Sequence, residues 1–247
     1  MIIDKIYMIN LERKKDVADN SINRLNNLTK NNNLFSNINI FKAVDGQLLN
    51  KNEINNYLTL KAKYTFINPS SYDDIRSIGE IGCYLSHTKI WKEIIDNNYK
   101  NCIIFEDDVI PNNNYETIIN YLDNIPNDYD IAYLGWWSRL SFDSINHNSY
   151  WSSTDYDNNN KQNILGLYSY VLSNNGAQKL LSKAFPIDVQ LDTFVSLYNN
   201  VNKDFKRYLS KEKLFEADKT ILGDQQTHTV CNKCKFFYNM YKNNLFY

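Results

Sequence analysis

Long apolar runs are missing from this sequence. No stretch of about 18 consecutive apolar residues occurs, so nothing reads as a membrane-spanning helix. An excess of either charge is missing too. With 27 Lys+Arg against 28 Asp+Glu the formal net charge is -1, which excludes a strongly basic nucleic-acid binder or a polybasic membrane-surface protein. Glycine and proline are scarce, at 7 and 4 residues in 247, and no Gly/Ser linker or internal repeat divides the chain. One domain over 1–247 is expected, with the motifs in 1–200 and 201–247 as an extension packed on them. Residues 1–16 lack both a continuous apolar segment and a small-residue cleavage site, so no signal peptide is read there and a cytoplasmic protein is expected. The four cysteines are Cys83, Cys102, Cys231 and Cys234. The first two lie in apolar segments and read as buried free thiols.

What the sequence has in excess is asparagine, roughly one residue in six. That bias raises the prospect of a disordered, aggregation-prone chain. The 19 Tyr, 12 Phe and 4 Trp argue against it, because so much aromatic surface demands burial. Segments 2–10, 37–44, 101–106, 129–136 and 164–172 read as strands. Segments 14–30, 53–64, 79–96, 115–125, 174–184 and 189–199 read as helices. Ser77 with Glu80, and Ser173, are the expected caps of the third and fifth of these. Residues 138–162 have no period and read as a surface excursion. Strands alternating with helices predict an α/β domain with a mostly parallel sheet.

The segment Cys102-Ile103-Ile104-Phe105-Glu106-Asp107-Asp108-Val109 carries the most chemistry. Three acids at the end of a buried strand are costly unless a positive charge offsets them, and ligands of open α/β sheets sit just beyond strand ends. A divalent cation such as Mn²⁺ or Mg²⁺ suits such oxygen donors. Alternation puts Glu106 and Asp108 on one face; if the strand stops at Glu106, Asp107 and Asp108 both reach the site. The competing reading is a solvated acidic turn. Ser86 and His87 interrupt the apolar pattern of the preceding helix; His87 alone reads more often as a hydrogen-bonded, partly buried histidine than as a ligand and gains weight beside the acidic strand, and glycines 79 and 82 near the helix start suggest close backbone approach.

These segments together resemble glycosyltransferase family 25, the group of lipooligosaccharide galactosyltransferases and of the transferase domains of procollagen galactosyltransferases. The resemblance runs through Ile9-Asn10-Leu11-Glu12-Arg13, Ala43-Val44-Asp45-Gly46 and Gly79-Glu80-Ile81-Gly82-Cys83-Tyr84-Leu85-Ser86-His87. It continues through Ile104-Phe105-Glu106-Asp107-Asp108-Val109, Gly166-Leu167-Tyr168-Ser169-Tyr170-Val171-Leu172 and Pro186-Ile187-Asp188. It implies a GT-A-like, Rossmann-related fold and a UDP-sugar donor, galactose first and glucose second. A Mn²⁺ (or Mg²⁺) cofactor and a glycan or collagen-like acceptor follow from it as well. Asn10, Leu11, Arg13, Asp45, Gly46, Ser86, His87 and Asp107 would border the nucleotide sugar, and Glu106 and Asp108 would hold the metal. His228 is a third candidate ligand, folding back from the C-terminal segment; a zinc site with Cys231 and Cys234 is the weaker alternative because no fourth ligand is evident.

An inverting transfer, which the resemblance also implies, needs a carboxylate base on the acceptor hydroxyl. Asp192 is favoured, with Asp188 orienting sugar or structure or, in the plainer reading, capping a helix. Trp136, Trp137, Tyr168 and Tyr170 are candidate sugar-stacking or core aromatics. One departure from the family is that Lys14 and Lys15 stand where a second arginine is common. It leaves room for a transferase-like binding protein without activity. A phosphohydrolase is disfavoured, since its nucleophile would have to be an aspartate where Glu106 stands.

Overall fold

The structure is a computed structural model and describes residues 1–28, 34–138, 144–154 and 164–221. In chain order the elements begin with β1 (Lys5–Asn10), α1 (Lys15–Asn27), β2 (Ile38–Lys42), α2 (Lys51–Tyr57) and α3 (Leu60–Ile67). Then come α4 (Ile78–Asp96), β3 (Asn101–Glu106), β4 (Val109–Pro111), α5 (Tyr115–Asp123), β5 (Ile131–Tyr133) and β6 (Trp137–Ser138). They end with β7 (Ser144–Asn146), β8 (Trp151–Thr154), β9 (Ile164–Leu165), β10 (Ser169–Ser173), α6 (Asn174–Leu181), α7 (Leu191–Val201), β11 (Arg207–Ser210) and β12 (Phe215–Ala217).

Eight strands form one sheet in the order β2-β1-β3-β10-β5-β11-β8-β7. β1 is parallel to both β2 and β3, and β5 is parallel to β11. β10 is antiparallel to β3 and β5, and β8 to β11 and β7. The sheet is therefore mixed, not mostly parallel as the element order suggested. The reason is local. β10 enters beside the end of β3, with Ser169 opposite Phe105, so it has to run against its neighbours.

Strict alternation divides the strand residues between two cores. Ile6, Met8, Ile103 and Phe105 pack with Leu25 of α1 and with Ile118 and Leu122 of α5. Tyr7, Ile9, Cys102 and Ile104 pack with Ile81, Leu85, Trp91 and other residues of α4. Helices thus cover both faces of the sheet, and Glu106 follows Cys102 and Ile104 onto the α4 face.

Capping explains where the helices start. Ser77 accepts from the Glu80 amide while Glu80 accepts from the Ser77 amide, a full capping box for α4, and Ser173 caps α6 through the Gly176 amide. The single helix expected over 53–64 is two. Leu58 is extended and Thr59 begins α3 by capping Ala62. The strand expected over 164–172 is also two, because Gly166 at φ +102 breaks it. The polar stretch around 150 is not merely surface: Trp151 is fully buried and donates to the Tyr121 carbonyl. Arg207–Ser210, expected in an extension, is a strand inside the central sheet. Among the described residues no helix is long and apolar enough to cross a membrane.

Candidate active site

Parallel β1, β2 and β3 end on one edge of the sheet, which brings together Asn10, the turn after β2 and the acidic run. Asn10 is buried, and its side-chain amide donates to Asp107 at 2.7 Å and to the Lys14 carbonyl at 2.9 Å. The Ser21 hydroxyl of α1 donates to the Asp107 carbonyl, so Asp107 is committed to the α1 side. Arg13 pairs with Asp45 at 3.0 Å, and the other Asp45 oxygen accepts from the Gln47 amide. Leu11 leads into a 3-10 turn over Glu12–Lys14.

The turn after β2 presses directly on α4. A Cβ on Gly46 would sit 2.0 Å from the Ile78 carbonyl oxygen, and one on Gly82 would sit 2.5 Å from the Val44 carbonyl oxygen. Both glycines therefore permit a backbone contact that no side chain allows. Ser86 fastens the same junction: it is fully buried, donates to the Gly82 carbonyl and accepts from the Val44 amide. Ser86 and His87 occupy the buried face of α4 and do not line the cavity described next, although the sequence put them beside the nucleotide sugar.

That cavity lies over the end of β3. Glu80, Cys83, Glu106, Trp137, Gly166, Leu167, Tyr168, Gln190, Leu191 and Asp192 line it. Glu106 in its lining and Asp108, two residues on and outside the lining, are poorly compensated. Burial, then the charges of Asp192 and Asp107, push the Glu106 carboxyl up to about 8. Burial, then Glu106 and Asp107, push Asp108 up to about 7. Burial raises Glu80 as well, against its bonds from Arg76 and Ser77. Asp108 Oδ1 is buried without a hydrogen-bond partner among the described residues. Such hard oxygen donors with unmet charge fit a divalent cation.

Cys83, His87 and Glu106 bring a second possible donor set together, with one ligating atom of each within 4.8 Å of the others. Asp108, expected as a ligand, is not in that group, and His228 lies outside the described residues together with Cys231 and Cys234. His87 is fully buried, and burial lowers it to about 4, so it is neutral. Burial raises the Cys83 thiol well above its ordinary value.

The two aspartates proposed from sequence separate. Asp192, in the first turn of α7, accepts from the Gly166 amide at 3.0 Å and the Leu167 amide at 3.4 Å. The left-handed Gly166 backbone is what turns these amides toward it. Asp188 is instead bonded to the Thr59 hydroxyl and to Lys61, each at 2.6 Å, on the surface. It caps nothing; Gln190 holds the N-cap position of α7. Of the aromatics, Trp137 and Tyr168 line the cavity, Tyr170 is buried in the core, and Trp136 donates to the Ser210 carbonyl. Sequence reasoning missed Glu80, Cys83, Gln190 and the Gly166–Leu167 amides. Cys83 was findable from its position one helical turn before His87.

Residues 3–195 match the model of a family described as glycosyltransferase family 25 (LPS biosynthesis protein). The chain is 28% identical over 235 residues to procollagen galactosyltransferase 2 of Homo sapiens, covering 90% of this chain and 35% of that protein. It is 30% identical over 139 residues to procollagen galactosyltransferase 2 of Mus musculus, covering 55% and 21%. It is also 28% identical over 136 residues to inactive glycosyltransferase 25 family member 3 of Homo sapiens, covering 53% and 22%. The chain spans about a third or less of the length of these relatives.

Proposed function

Because the chain belongs to glycosyltransferase family 25, we propose that it moves a hexose from a UDP-sugar to an acceptor hydroxyl with inversion, at the cavity over the end of β3. Galactose is the first donor to test and glucose the second, since procollagen galactosyltransferases are among its relatives. A glycan or a collagen-like protein is the proposed acceptor class, and the cytoplasm the proposed compartment. The observation that carries the reading is one cavity lined by both Glu106 and Asp192, a metal-type and a base-type carboxylate.

Glu106 and Asp108 would hold the Mn²⁺ or Mg²⁺ ion, which as a Lewis acid stabilises negative charge on a departing diphosphate. Asn10 and the Arg13–Asp45 pair form the shelf beside it, where Arg13 and Lys14 supply the positive charge on that edge. Asp192, held by two backbone amides, accepts the proton of the acceptor hydroxyl. Trp137 and Tyr168 offer flat apolar faces to a sugar ring and exclude water from it.

Release of UDP from a panel of UDP-sugars, with Mn²⁺ and with chelator, tests the reading. Metal-dependent turnover of UDP-galactose is expected, and Asp192→Asn should lower kcat by about 100-fold or more. Absence of binding to every UDP-sugar by folded protein defeats the proposal. A relative named inactive supplies the second reading: tight UDP-sugar binding without turnover on glycan or collagen-like acceptors would favour it.

A further inference from the structure

His87 stands behind Glu106 and not in the cavity, and the direction of its hydrogen bonds follows from what its neighbours can donate and accept. Its Nδ1 lies 2.8 Å from the Tyr170 hydroxyl, and its Nε2 lies 3.3 Å from Glu106 Oε1. The same hydroxyl lies 3.0 Å from Trp91 Nε1. All of His87, Tyr170 and Trp91 are fully buried. An indole N–H only donates, so Trp91 occupies an acceptor site of the Tyr170 oxygen. The Tyr170 hydrogen then needs an acceptor, and His87 Nδ1 is the one within reach among the described residues. A buried hydroxyl left without an acceptor would bear its desolvation cost uncompensated.

With Nδ1 accepting, the hydrogen of the neutral ring sits on Nε2 and is donated to Glu106. We propose that His87 is a positioning residue: a neutral imidazole, its tautomer fixed by the Trp91–Tyr170 pair, that holds Glu106 Oε1 and leaves the other carboxylate oxygen to the cavity. What Glu106 then does with that oxygen rests on the transferase reading above; the hydrogen bond itself does not. The opposite tautomer, with Nδ1–H donated to Tyr170 and a bare Nε2 facing Glu106, is the form a metal-ligating histidine takes. It would make Cys83, His87 and Glu106 a ligand set.

Nitrogen NMR of the full chain labelled at histidine separates these forms without any metal. The chain has 3 histidines, and the His87 signals are those lost in His87→Gln. Should that variant not fold, Tyr170→Phe identifies them by their shift. A proton on Nε2 is expected; a proton on Nδ1 overturns the proposal.

The second measurement is Mn²⁺ affinity in the presence of UDP, read from the electron paramagnetic resonance of unbound Mn²⁺, with melting temperatures to verify folding. His87→Gln places an amide nitrogen where Nε2 stood and should bind close to wild type. His87→Asn stops short of that position and should bind about 10- to 100-fold more weakly. Equal weakening of both folded variants, or none in His87→Asn, overturns the role. If wild-type protein binds no Mn²⁺, the metal-dependent reading fails while the tautomer still decides the hydrogen bond.

Discussion

Two carboxylate groups sit at opposite edges of the same sheet, one fully buried at Asp130 and one partly exposed at Glu106 and Asp108. β3 and β5 point the same way, since both run against β10, so Glu106 lies past the end of one and Asp130 just before the start of the other. Asp130 is fully buried, yet it accepts from Asn175 at 2.7 Å, Lys179 at 2.7 Å and the Lys206 amide at 2.8 Å. A cation and two neutral donors satisfy it. Glu106 and Asp108 have like charges for neighbours, and one Asp108 oxygen has no partner among the described residues. The two edges thus serve different ends: at Asp130 full burial with matched partners seals the sheet, and at the partly exposed Glu106 a demand for positive charge is left that a ligand can meet.

The largest effect that would sharpen this contrast is on stability. Asp130→Ala removes the carboxylate partner of Lys179, which keeps its bond to the Asp204 carbonyl, and the acceptor of two further groups. It should cost about 3–5 kcal/mol in denaturant unfolding, the range for breaking one side of a buried pair. Glu106→Gln should cost nothing comparable and should abolish metal-dependent turnover. A Glu106→Gln loss as large as that of Asp130→Ala would show the two edges to be alike.

A smaller loss belongs to the junction between α4 and the turn after β2. Gly82→Ala forces a methyl group against backbone at 2.5 Å from the Val44 oxygen and 2.9 Å from the Gly46 nitrogen. Neither is the end of a flexible side chain, so the helix and turn must part. About 1–3 kcal/mol of stability should go, together with a raised KM for the donor, since the same turn carries Asp45. Unchanged thermal melting in Gly82→Ala would show that the helix shifts freely.

The next contrast is in pH. Glu106 and Asp108 both titrate above their ordinary values in the fold, so between those values and about 7 to 8 the folded protein holds protons that the unfolded chain has released. The contribution of these two groups to the stability of the metal-free protein should therefore be fully present below the ordinary carboxylate range and be lost as pH rises toward 8. The slope should be on the order of 1 kcal/mol per pH unit. Added Mn²⁺ should flatten it, and so should Glu106→Gln in part. A flat profile for metal-free wild type would mean that this edge is compensated like the one at Asp130.

The capping residues and the strand patterns that build both edges are legible in the sequence, because they rest on local chemistry: Ser77 with Glu80, Ser173, and the alternation of 102–106. The acidic strand end and the glycine contacts could be read as well. What could not be read depends on distant partners. Trp151 sits in a polar stretch with no apolar period and is buried by Tyr121 of another element. The break at Gly166 matters because of Asp192, 26 residues later. His87 and Ser86 look like ligands in a helix pattern; only the packing of α4 on the sheet shows that they face inward.

The smallest expected effect concerns the two aspartates that the sequence could not separate. Asp188 pairs with Lys61, and both side chains are more than a third exposed, at 42% and 59%. Burial works to raise its carboxyl, but the bonds from Lys61 and Thr59 hold it below the ordinary value. Such a pair is screened by solvent and contributes about 0–1 kcal/mol. Thr59 keeps its own bond to the Ala62 amide and still caps α3. Asp188→Ala should therefore shift the melting temperature little and change kcat/KM by about twofold or less, as surface substitutions do, whereas Asp192→Asn removes the bond-oriented carboxylate from the cavity. Kinetics of both variants on one donor and acceptor decide between them. A kcat loss in Asp188→Ala as deep as in Asp192→Asn would mean that the surface pair opens during turnover and that Asp188 reaches the reacting sugar.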